Sequence, residues 1–97
     1  MKVAQTILEQ LGGNRFAVMT GSKNFVSDGN TLTMQLSRNV LKAKYLSITL
    51  TSMDDYTMVF KNVNRNFETV IKAEVKGVYC DQLQKIFTEK TGLYTRL

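Results

Sequence analysis

The chain has no histidine, no proline and no tryptophan, and it has a single cysteine among its 97 residues. Without histidine it lacks the commonest general base near neutral pH, the Ser-His and Cys-His nucleophile pairs, and the usual zinc ligands. The lone Cys80 closes no internal disulfide, so a stapled, oxidised design is excluded. The expectation is therefore a non-enzymatic protein with no structural metal and no small-molecule cofactor. No apolar run approaches the roughly 18 residues of a membrane span, and Met1 to Thr6 lack the continuous apolar core of a secretory signal, which points to the cytoplasm. With no proline, no low-complexity tract and no internal repeat, no linker is visible, and residues 1–97 read as one domain.

Apolar residues make up 43% of the chain and charged residues 22%, which is globular usage and enough for a core that folds alone. Thirteen Lys and Arg against eight Asp and Glu give a net charge of +5, which favours acidic partners. How those charges are distributed matters more than their sum.

Val3, Ala4, Ile7, Leu8 and Leu11 recur at spacings of three and four, so they predict a short amphipathic helix that Gly12-Gly13 ends. Arg15 to Thr20 and Lys23 to Val26 then read as short strands around a Gly21-Ser22 hairpin turn, followed by a turn at Asp28-Gly29-Asn30. Leu32, Met34 and Leu36 alternate with Thr31, Thr33 and Gln35, the period of a half-buried strand. The same alternation returns in Leu46, Ile48 and Leu50, and in Tyr56, Met58 and Phe60, with a tight turn at Met53-Asp54-Asp55 between them. A last strand, about Phe67 to Val78, places Thr69, Ile71, Ala73 and Val75 on one face. A closing helix follows, with a capping-box spacing at Asp81 and Gln84, a stripe of Leu83, Ile86 and Phe87, a stop at Gly92, and Lys90 placed to favour the helix dipole. No connection is long enough for a parallel crossover. The fold class is therefore α+β: an antiparallel sheet of about five to six strands with the N-terminal and C-terminal helices on one face and a Thr-rich face toward water.

Several residues are candidates for chemistry. Cys80 falls near a helix N-terminus, where thiols gain reactivity, although a buried structural cysteine is the expected role without histidine. Asp54 and Asp55 are neighbours on a turn, point apart and have no third acid nearby, so they do not make a divalent-ion site. Gly12-Gly13 follows a helix rather than opening one, which argues against a phosphate-cradling loop. Phe16, Phe25, Tyr56, Phe60, Phe67, Tyr79 and Phe87 fall mostly on core positions, while Tyr45 and Tyr94 are the aromatics expected to be open to solvent.

One cluster comes from topology. Antiparallel neighbours bring Gly21-Ser22-Lys23, the loop Arg38 to Lys44 and the loop Lys61 to Asn66 to one end of the sheet. Those segments carry Lys23, Arg38, Lys42, Lys44, Lys61 and Arg65 and no acid, with Asn24, Asn39, Asn62, Asn64 and Asn66 as further polar groups, while Asp28, Asp54 and Asp55 gather at the opposite end. Arg38, Lys42, Lys44, Lys61 and Arg65 are the expected contacts to a nucleic-acid backbone. The bland alternative is a solvated loop set whose charges aid solubility.

Leu11 to Phe25, LGGNRFAVMTGSKNF, and Gly77 to Leu97, GVYCDQLQKIFTEKTGLYTRL, resemble small uncharacterised proteins of bacteriophages and other mobile genetic elements. The resemblance carries over no site residues. It implies an accessory protein that binds nucleic acid or a nucleic-acid-handling protein. The alternative is a protein-protein inhibitor of a host enzyme such as a defence nuclease, or an assembly factor, working through the Thr-rich face or an open sheet edge.

Overall fold

The computed structural model describes residues 2–93. Tyr94 lies outside the described residues. The element order is α1 (Lys2–Leu11), α2 (Gly13–Thr20), β1 (Lys23–Asp28), β2 (Thr31–Gln35), β3 (Tyr45–Leu50), β4 (Tyr56–Val63), β5 (Thr69–Val78), a 3-10 turn (Cys80–Gln82) and α3 (Leu83–Thr91). The five strands pair in chain order, β1-β2-β3-β4-β5, every neighbour antiparallel. This is the α+β class read from the sequence.

Period-two patterning builds the core. Leu32, Met34, Leu46, Ile48, Met58 and Phe60 point to one face and are buried there against Ala4, Ile7 and Leu11 of α1, Phe16 of α2, and Leu83 and Phe87 of α3. The Phe16 and Phe87 rings meet edge to face with centroids 5.0 Å apart and tie α2 to α3. On the outward face, side-chain hydroxyls bridge strands, with Thr31 and Thr49 hydrogen-bonded at 2.8 Å and Thr33 and Ser47 at 3.2 Å.

Two strand expectations are corrected here, and Gly12-Gly13, expected to follow a helix rather than open one, does both, since Gly12 is the N-cap and Gly13 the first residue of α2. Arg15 to Thr20 is not a strand but most of helix α2. As a strand it would have placed Phe16, Val18 and Thr20 on one face, yet Phe16 and Thr20, four apart, are buried while Val18 is 81% exposed. Gly21, expected in a hairpin turn, is the left-handed cap of this helix (φ 72°), and its N–H donates to the Ala17 carbonyl at 3.0 Å. A glycine that must take positive φ serves a turn or a helix stop equally well, so that signal alone does not choose.

The second correction concerns β5. Phe60 pairs with Ala73 but Lys61 pairs with Ile71, so Lys72 is an extra residue in the ladder. The bulge turns Ile71 onto the outward face beside Lys61, and it is 54% exposed, while Ala73 and Val75 still pack against the core. A further irregularity near Gly77, at φ 68°, restores the inward direction for Val78, which is buried.

Three side-chain roles also differ. Phe67 is 89% exposed and Tyr79 is 58% exposed, neither being core. Cys80 is exposed rather than buried, because Val78 and Leu83 take the inward positions on either side of the 3-10 turn. The helix entry is fastened by Gln82, whose Oε1 accepts from the Tyr79 N–H at 3.0 Å, rather than by a box of Asp81 and Gln84. Gln84 instead reaches back to α1, its Nε2 donating to the Gln10 carbonyl at 3.2 Å.

Candidate functional site

At the end of the sheet where β2 leaves and β3 enters, residues 36–44 form an ordered loop held by one asparagine. Asn39 Nδ2 donates to the Ser37 and Ala43 carbonyls, both at 2.8 Å, and its Oδ1 accepts from the Ala43 N–H at 3.3 Å. Leu36 and Ala43 are buried and anchor the loop ends. The Leu36 N–H donates to the Lys44 carbonyl at 2.8 Å, and the Lys44 N–H to the Lys61 carbonyl at 3.1 Å, which extends the sheet ladder into the loop. Lys42 sits at φ 59°, a left-handed conformation that a long side chain adopts only at a cost.

The loop and the end of β4 enclose an open groove of about 730 Å³. Arg38, Lys42 and Lys44 line it together with Asn62 and Val63, and no acidic residue is among its walls. Of the five expected contacts, these three share the groove. Lys61 stands on the outward sheet face, paired with Tyr45 and Ile71, and Arg65 is exposed at the tip of the β4–β5 turn. Lys23 opposes Gln35 on β1.

The asparagines grouped with these cations mostly serve the fold. Asn62 Nδ2 donates to the Lys42 carbonyl at 3.1 Å, Asn24 Nδ2 to Gln35 Oε1 at 2.7 Å, and Asn64 Oδ1 accepts from the N–H groups of Asn66 and Glu68 at 2.9 and 3.0 Å. Asn64 closes its own turn, as asparagine commonly does, while Asn24 and Asn62 tie neighbouring segments together. The end is also not free of carboxylates, because Glu68 faces Asn64 across the turn.

Two helices end here. Ser37 Oγ donates to the Thr20 carbonyl at the end of α2, and the Val40 N–H donates to the Thr91 carbonyl at the end of α3, at 3.1 Å. The loop is thus tied to the ends of α2 and α3 through Ser37 and Val40.

At the opposite end the Thr51 Oγ1 hydroxyl donates to Asp55 Oδ1, and the Asp54 N–H donates to the Thr51 carbonyl at 3.2 Å, so the carboxylate pair belongs to an ordered turn. Among the described residues no group of three or more Cys, Asp or Glu is placed to hold a metal ion, and no helix is long and apolar enough to cross a membrane. At the Tyr56 hydroxyl, burial and then the neighbouring Cys80 thiol push the pKa above the ordinary value, against a lowering by its 2.8 Å bond to Gln10 Oε1. Compared with protein families, curated proteins and solved structures, the chain finds no match.

Proposed function

We propose that this chain is a non-catalytic binding module, an accessory protein of a phage or mobile element, that engages a nucleic-acid backbone through the basic end of its sheet. The observation that carries the reading is the groove itself, with Arg38, Lys42 and Lys44 on a loop already fixed by Asn39 and no acid in its walls. Cations held by a pre-ordered backbone contact phosphates with little further loss of loop entropy.

The test is fluorescence anisotropy with labelled nucleic acid across a salt series. For duplex DNA the log-log slope is expected at about −2.7 if the three groove cations engage and about −4.5 if Lys61 and Arg65 join, at roughly −0.9 per phosphate. The pair Lys42→Glu and Arg65→Glu abolishes binding with little change in melting temperature, since exposed substitutions usually stay within about 0.5 kcal/mol. If the charges only aid solubility, wild type binds nothing even at low salt. The protein-inhibitor alternative rests on the outward hydroxyl-rich face and on β5 as an edge strand. It gains if loop charge swaps leave partner capture intact while bulky changes at Thr33, Thr49 or Lys72 abolish it.

A further inference from the structure

The β4–β5 turn is a tight loop whose geometry repeats that of the β3–β4 turn. In β4–β5 the Asn64 N–H donates to the Glu68 carbonyl and the Phe67 N–H to the Asn64 carbonyl, both at 3.0 Å, and Phe67 takes φ 60°. In β3–β4 the Thr51 N–H donates to the Asp55 carbonyl at 2.9 Å, the Asp54 N–H to the Thr51 carbonyl at 3.2 Å, and Asp54 takes φ 61°. The same left-handed position is thus filled by aspartate, which tolerates it, in one turn and by phenylalanine, which does not, in the other.

Phe67 gains nothing from packing in return. At 89% it is the most exposed of the large apolar side chains among the described residues. It stands in the turn between Val63, which lines the groove, and Thr69, which pairs with Val63, and it is two positions from Arg65. An aromatic ring is thus held open to solvent on a hydrogen-bonded turn that continues from Val63 in the wall of the cationic groove.

Resting on the reading of the basic end as a nucleic-acid interface, we infer that its ligand is single-stranded, with an unpaired base stacked on Phe67 and the backbone led through the groove past Lys42 and Lys44. Duplex bases hide their faces in the helical stack, whereas an unpaired base offers a free π-face that an exposed aromatic takes without regard to sequence. Arg65, exposed two positions away on the same turn, adds a charge for an adjoining phosphate. Charge complementarity selects this occupant over an apolar protein segment, which has no need of the flanking cations.

The experiment compares a labelled oligothymidylate of about a dozen nucleotides, within the site size of known single-strand binders, with a duplex of equal length at low salt. Wild type binds the strand more tightly. Phe67→Gly weakens strand binding roughly tenfold, leaves duplex binding unchanged, and holds or raises the melting temperature because glycine relieves the backbone. Phe67→Asn, which also suits the left-handed position, reproduces that loss, while Phe67→Tyr retains wild-type affinity. Duplex bound as tightly as strand, or strand affinity unchanged in Phe67→Gly, overturns the single-strand inference and leaves the basic-end reading standing. No binding of either nucleic acid removes both.

Discussion

The two ends of the sheet solve the same geometric problem with different residues. Each must turn the chain through left-handed positions. At the end carrying Asp28, Asp54 and Asp55 those positions fall to Gly29 and Asp54; at the basic end they fall to Gly21 and Asn24, which tolerate them, but also to Lys42 and Phe67. Glycine and aspartate adopt positive φ at little cost, whereas lysine and phenylalanine give up about 1–2 kcal/mol each. Strain of this sort is concentrated where function needs a particular side chain more than the fold does. Of the two ends, only the basic one also places a long or aromatic side chain at such positions.

The sharpest way to break that contrast is to remove the residue that orders the basic loop. Asn39→Ala leaves the Ser37 and Ala43 carbonyls without their donor, so a loss of about 2 kcal/mol is expected in denaturant melts. Amide exchange should rise first in residues 36–44, and binding should weaken even though every cation remains. Uniform exchange across the molecule would show that the loop is not separately ordered.

Relieving the strain tests the same contrast from the other side. Lys42→Gly should be neutral to about 1 kcal/mol stabilising, whereas Asp54→Gly should not stabilise, because aspartate already tolerates the conformation. Thermal melts of the two variants give the comparison directly. A stabilised Asp54→Gly with an unaltered Lys42→Gly would reverse the assignment of strain.

The smallest effect belongs to Tyr56, on the core side of β4. Its folded pKa lies above the unfolded value, so the folded state holds the phenolic proton more tightly. The stabilisation is fully present below the unfolded pKa, near 10, and is lost as pH rises from there through the folded pKa. Denaturant midpoints should therefore fall more steeply above that pH in wild type than in Tyr56→Phe. Equal slopes in the two proteins would remove Tyr56 from the account.

Much of the architecture was legible because burial imposes a period. The alternation in Leu32 to Leu36, Leu46 to Leu50 and Tyr56 to Phe60 survives as the buried faces of β2, β3 and β4, and the three-and-four spacing of Val3 to Leu11 survives as α1. The failures lie where period is weak or broken. Residues 13–20 contribute only Phe16 and Thr20 to the interior, too few to distinguish helix from strand. In β5 a single extra residue reverses the parity of Ile71, which no alternation read along one strand can reveal. Arg38, Lys42 and Lys44 come together because one short loop carries them, and antiparallel topology brings the end of β4 beside it; the use of the asparagines for the fold was not legible, because amide chemistry suits a ligand and a backbone carbonyl equally. Phe67 was hidden for a related reason: an aromatic beside a strand is usually core, and only the turn geometry shows that it is not.

The strictly sequential order of the five strands also bears on how the molecule assembles. Every ladder joins chain neighbours, so the sheet can zip hairpin by hairpin, each step closing a short loop at modest entropic cost. The contacts that span the chain are those of the terminal helices, where Gln10 receives Tyr56 from the sheet and Gln84 from α3. If the sheet forms first, truncations at this three-way junction should accelerate unfolding while leaving the folding rate nearly untouched, the behaviour of a kinetic latch; slowed folding would place the junction in the nucleus instead.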